Sequence, residues 1–179
     1  MVPEPGLHRI RVHVANRSWA NLESEFEGTC RDVDPVLAGQ IANVDLGEYR
    51  GQLRQLLNRA SHRAVRDDVK AVYWEFDLDN RWDSAAFLCQ DYRPESAADD
   101  DWAAEFDPAD VTKGPSNAQL ASFYRGAWEG PAEIAANLYL VARTVASFGI
   151  VADEAWLTTL PLCAGFHDQT EVFRIRAAA

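Results

Sequence analysis

An α+β fold, with a mostly antiparallel sheet and helices packed on one face, is what this sequence predicts. Three observations lead there. Val69–Tyr92 alternates apolar and polar residues on either side of an acidic turn, the pattern of a hairpin. Leu46–Val65 and Pro131–Gly149 space their apolar residues by three and four, the pattern of amphipathic helices. Strand-like and helix-like runs do not alternate strictly, so a parallel βαβ architecture is not indicated, and segregated layers are.

In chain order, Leu7–Ala15 reads as a half-buried strand, with Ile10, Val12 and Val14 on one side. His8 and His13 then fall on opposite faces and cannot share a metal. Ser18 caps a short helix that closes near Gly28. Asp34 before Pro35 is an N-cap and N1 pair for another. In the next helix Leu46, Tyr49, Leu53, Leu56, Leu57, Ala60 and Ala64 form one stripe about 100° wide. Arg50 and Arg54 flank that stripe, and Arg59, Arg63 and Arg66 lie opposite it, a basic face expected to pair with nearby acids.

The hairpin puts Val72, Trp74, Phe76 and Leu78 on one face and Ala71, Tyr73, Glu75 and Asp77 on the other. Ala85–Tyr92 is the return strand. From Pro94 to Thr112 no basic residue occurs, and Trp102–Phe106 reads as a short strand within that acidic run. Asn117 caps a helix, and Pro131 opens the best-defined one, which Gly149 ends. Leu160–Arg176 reads as a closing hairpin around His167 and Asp168.

A chain of 179 residues fits one domain, 1–179, with enough core to need no disulfide or metal. Cys30, Cys89 and Cys163 form no Cys-x-x-Cys pair, and Cys89 and Cys163 read as small core residues. A net charge of −11 repels phosphate backbones and anionic membranes, and its field attracts a basic protein. There is no secretory h-region and no apolar run of membrane length, which gives a cytoplasmic expectation.

Asp77, Asp79 and Asp83 suggest calcium until an EF-hand loop is laid over them. Arg81, Trp82 and Leu88 then occupy the positions that need an oxygen ligand, a glycine and a glutamate. His167 and Asp168 have no nucleophile in a recognisable setting, and no phosphate-cradling glycine loop occurs. No cofactor or metal is expected. Trp74, Trp128 and Trp156 have apolar neighbours and read as core, whereas Trp82 and Trp102 stand among aspartates. A large ring inside an acidic rim suits an interface anchor.

The pieces VYWEFDLDNRWDSAAFLC, DDDWAAEF and CAGFHDQTEVFRI resemble a loosely defined group of small bacterial proteins, some similar to immunity proteins encoded beside polymorphic toxins. The resemblance covers about the C-terminal two-thirds of the chain. It implies a non-enzymatic protein that binds and blocks a cognate toxin, and it carries over no catalytic residue.

The reading is therefore a protein-binding module with a basic partner, the cognate toxin. Its contact residues are Asp77, Asp79, Trp82, Asp83, Asp99, Asp100, Asp101, Trp102 and Glu105. The alternative is a small-ligand-binding protein or hydrolase using Glu75, Asp77 and His167. A homodimer is the third reading.

Overall fold

The computed structural model describes residues 3–66, 68–97, 100–126, 128–155, 158–167 and 172–177. It is α+β, as the sequence predicts. Four helices come first: α1 (Glu4–Ala15), α2 (Trp19–Val33), α3 (Pro35–Ala42) and α4 (Gly47–Arg63). The strands β1 (Ala71–Phe76), β2 (Ser84–Cys89) and β3 (Phe106–Lys113) follow, then α5 (Ala118–Ala121), α6 (Pro131–Ala155), β4 (Leu162–Phe166) and β5 (Phe173–Arg176). The sheet order is β3-β2-β1-β4-β5. The sheet is mixed: β1 and β4 run parallel, and the other neighbouring pairs are antiparallel.

The first element is a helix where alternation predicts a strand. Ile10 and Val14 fit both periods, and Val12 decides between them: it is 46% exposed while Leu7, Ile10 and Val14 are buried. Pro5 falls in the first turn of the helix, where a missing N–H breaks no ladder bond. One consequence is that Arg9 and His13, one turn apart, both reach Glu25 of α2. Ser18 consequently does not cap α2, because its hydroxyl meets His13 Nδ1 at 2.9 Å.

Helix α2 passes through Gly28 and stops at Val33, because the residue before a proline is pushed out of the helical region. Asp34 (φ −141°) then accepts from Leu37 N at 2.9 Å and caps α3 as expected. The α4 stripe is buried throughout. Asn117 does cap α5, accepting from Leu120 N at 2.9 Å, but that helix lasts only four residues.

Helix α6 runs through Gly149 to Ala155. The glycine is a packing device, since a Cβ there would lie 2.6 Å from the Trp19 ring. Glycine to alanine inside a helix ordinarily stabilises by about 0.5–1 kcal/mol. Here Gly149→Ala is expected to destabilise by about 1–3 kcal/mol, because overpacking outweighs propensity. Chemical denaturation of the two proteins checks the sign. By length and composition α6 could cross a membrane, but 89% of its most apolar 18-residue window is buried in this fold.

One face of the sheet carries Val72, Trp74 and Phe76 into the helices, and the Trp74 ring stacks on Phe148 of α6 at 4.2 Å. Trp128 is half-buried against this core, and Trp156 lies outside the described residues. The opposite face packs Tyr73, Cys89 and Cys163 with Trp102, Ala103 and Val172 in a smaller cluster. Trp102 belongs to a 3-10 turn, Asp101–Ala104, and not to a strand; the third strand begins at Phe106.

The basic face of α4 closes the open edge of the sheet. Arg59 donates to the Lys113 carbonyl and Arg63 to those of Val111 and Ala109. β3 is an edge of the sheet formed by the described residues, so the arginines blunt an edge that would otherwise invite pairing. Pro108, exposed in β3, adds to this. Arg66 holds Asp110 through both carboxylate oxygens, at 2.7 and 2.6 Å. Hydrogen bonding to that guanidinium keeps the Asp110 carboxyl below the usual carboxylate range.

Because the folded value is the depressed one, this stabilisation is complete above about pH 4, where the unfolded carboxyl is also ionised, and is lost as pH falls through the folded value. The stability difference between wild type and Asp110→Asn is expected to be constant near neutrality and to close in acid. Urea titrations across that range measure it.

Candidate functional site

The parallel pairing of β1 with β4 brings together two residues far apart in sequence. Glu75 is level with Gly165, Phe76 with Phe166, and His167 N donates to the Phe76 carbonyl at 3.0 Å. His167 therefore leaves β4 beside the end of β1, and its Nδ1 lies 3.2 Å from Glu75 Oε1. Tyr73, two residues earlier on the same strand face, directs its hydroxyl at Glu75 Oε2 from 3.4 Å. Glu75 is half-buried and His167 is exposed.

These groups border a cavity of about 450 Å³ on the face opposite the helices. Phe87 and Phe106 line it with half-buried rings 4.5 Å apart. Asp100 and Asp101 reach it from the 3-10 turn and its N-cap position. Phe87 is the register partner of Tyr73, so the hairpin pairing could have placed it here from sequence. Phe106 could not be placed that way, because β3 departs from regular register between Phe87 and Cys89 of β2.

Asp77 stays out of the cavity. Its carboxylate accepts from the backbone of Asp79 at 3.0 Å and Asn80 at 3.2 Å and so builds the β1–β2 turn. Asp83 N bonds the Asn80 carbonyl at 2.9 Å, and the two central residues of that four-residue turn, Arg81 (φ 56°) and Trp82 (φ 58°), are left-handed. Two positive φ values suit the right-handed twist of a hairpin but are unfavourable for bulky side chains.

This geometry turns Trp82 inward. The residue is 0% exposed, its indole N–H donates to Thr144 Oγ1 of α6 at 2.9 Å, and Phe76 and Tyr124 flank the ring. Trp102 is 1% exposed, edge-on to Tyr92. Neither ring is a surface anchor, which corrects the sequence reading. Aspartate neighbours along the chain say nothing about which side of a turn a side chain takes.

Asp100 is structural in part: it accepts from Arg174 Nη2 at 2.6 Å and from Val172 N at 3.2 Å, tying the 3-10 segment to β5. Asp79, Asp101 and Glu105 are exposed, and Asp83 is half-buried. Asp99 and Asp168 lie outside the described residues. Among the described residues, no three His, Cys, Asp or Glu side chains are grouped to hold a metal ion.

Burial raises the Cys30 thiol to about 11 and the Cys89 thiol to about 12, and pushes Cys163 up as well, so all three are protonated at neutral pH. No known family, curated protein or solved structure matches this chain.

Proposed function

We propose that this protein is a cytoplasmic, non-enzymatic binding module of the immunity type, which neutralises a cognate bacterial toxin by covering a basic surface on it. The observation that carries this reading is where the charges are used. Many cations are paired within the chain: Arg9 with Glu25, Arg17 with Asp153, Arg54 with Glu154, Arg66 with Asp110, Arg143 with Glu23 and Arg174 with Asp100. Asp79, Glu95, Glu105 and Asp107 are exposed and form no ion pair among the described residues. Part of the net charge of −11 therefore faces outward along the β1–β2 turn and the β2–β3 connection. Such a field steers and orients a basic partner.

The test is co-expression with the product of the neighbouring gene. The reading expects that product to arrest growth alone and this chain to restore it. A harmless neighbour, or arrest unrelieved by this chain, sinks it.

A second reading, a small-ligand or hydrolytic site, has the 3.2 Å Glu75–His167 contact at a cavity in its favour. It expects a metabolite alone to raise the melting temperature.

A further inference from the structure

We infer that Ser18, at the corner between α1 and α2, is an activated nucleophile that takes an acyl group from an activated ester. This goes beyond the binding reading above and does not depend on it. It assigns a covalent modification site on the helices, not on the acidic β1–β2 turn.

Three side chains stand in line. Ser18 Oγ lies 2.9 Å from His13 Nδ1, and His13 Nε2 lies 2.6 Å from Glu25 Oε2. The other oxygen of Glu25 accepts from Arg9 Nε, which fixes the carboxylate. Hydrogen bonding to His13, with Arg9 adding to it, holds the Glu25 carboxyl below its ordinary range, so near neutrality it only accepts. In the neutral ring Nε2 therefore carries the proton, and the Nδ1 lone pair faces the Ser18 hydroxyl. The second acceptor of that hydroxyl, the His13 carbonyl, is farther away, at 3.3 Å. Hydroxyl, imidazole and carboxylate in this order make a general-base-activated serine. The ring nitrogens are exchanged relative to serine proteases, but either one is a base when the other is held by a carboxylate.

The corner also leaves room for an ester. Ser18 is half-buried and borders a cavity of about 350 Å³ lined by Arg17, Trp19, Ala20, Asn21 and Ile150. Left-handed Arg17 (φ 51°) folds the chain back, so that Ser18 N donates to the His13 carbonyl at 3.0 Å. The first-turn N–H groups of the 15-residue α2 receive no side-chain cap. Such donors stabilise the oxyanion that forms when a carbonyl is attacked.

In the step, Ser18 Oγ bonds the carbonyl carbon and its proton passes to His13 Nδ1. The bond from that carbon to the leaving oxygen then breaks, and the proton follows the leaving group. Nothing is oxidised or reduced. Glu25 is a positioning residue, acting only through the ring.

The test treats the full chain with p-nitrophenyl acetate at mildly alkaline pH, where an ordinary imidazole is neutral, and follows acetylation residue by residue by mass spectrometry. Ser24, exposed on the same helix, is the internal standard. Ser18 is expected to acetylate at least about 100-fold faster than Ser24, the range that general-base assistance supplies. His13→Gln is expected to bring Ser18 to about the Ser24 rate with the helical circular dichroism unchanged. Glu25→Gln should slow Ser18 about tenfold, and Glu25→Asp should restore part of the rate.

Equal rates at Ser18 and Ser24 in the wild type, or a His13→Gln protein that labels as fast as the wild type, overturns the inference. Neither result touches the immunity reading, which is tested with the neighbouring gene's product. Nitrophenol release that continues past one equivalent and is abolished by Ser18→Ala supports the inference and contradicts the non-enzymatic reading, because the acyl-serine is then hydrolysed.

Discussion

Trp82→Ala is expected to unfold more easily by about 3–5 kcal/mol, the range for emptying a large aromatic site in a packed core. For a chain of this length that lowers the melting temperature by roughly 10 °C. The ring is fully buried between Phe76 and Tyr124, and its N–H satisfies Thr144. Its removal also leaves the left-handed backbone at Arg81 and position 82 without the buried ring that offsets its cost. Trp82→Phe keeps part of the packing and drops the hydrogen bond, so it should fall between wild type and alanine. Denaturant unfolding of the three proteins gives the order. A wild-type midpoint for the alanine variant would mean the ring is at the surface after all.

Arg143→Met should cost about 3 kcal/mol, because it removes one partner from a buried ion pair and strips donors from buried carbonyls. Arg143 projects from the apolar helix α6 with only 8% of its side chain exposed. Its Nε meets Glu23 of α2 at 2.7 Å, its Nη1 bonds the Ile41 carbonyl, and its Nη2 bonds Val44 O at 2.9 Å. One side chain thus joins α2 and α6 and adds donors to carbonyls at and just past the end of α3, where Ile41 O also accepts from Val44 N at 3.1 Å. Glu23→Gln keeps an acceptor for Nε and leaves both carbonyl bonds intact, so it should destabilise less. If the two variants prove equally stable, the carbonyl bonds contribute nothing, and this account of how α3 is held is wrong.

What could be read in the sequence had a period of its own. Helix α4 and the β1–β2 hairpin followed from local spacing, and the basic face of α4 was expected to meet acids, as Arg63 and Arg66 do at Asp110. Helix α1 was misread because Ile10 and Val14 satisfy a period of two as well as one of 3.6. The end of α6 was misread because Gly149 answers to Trp19, more than a hundred residues away, and not to its own helix.

The same limit governs the site. Glu75 and His167 were recognisable as residue types, but their contact depends on parallel pairing of β1 with β4, which no local pattern encodes. Asp77 was grouped with them by its place on the strand, and the turn claimed it instead. The direction of Trp82 was hidden because it depends on two positive φ values in a turn with no glycine.

The same geometry decides which acids can test binding. Reversing Asp100 would disturb β5 through Arg174, so any lost affinity there mixes folding with contact. Asp79, Glu105 and Asp107 are exposed and serve no internal ion pair among the described residues. The most direct measurement is calorimetric titration of the neighbouring gene's product into wild type and into Asp79→Lys/Glu105→Lys/Asp107→Lys, at low and high salt. If an acidic surface makes the complex, wild-type affinity falls as salt rises, and the variant binds more weakly with a flatter salt dependence. Wild type and variant binding alike, with affinity indifferent to salt, would contradict it.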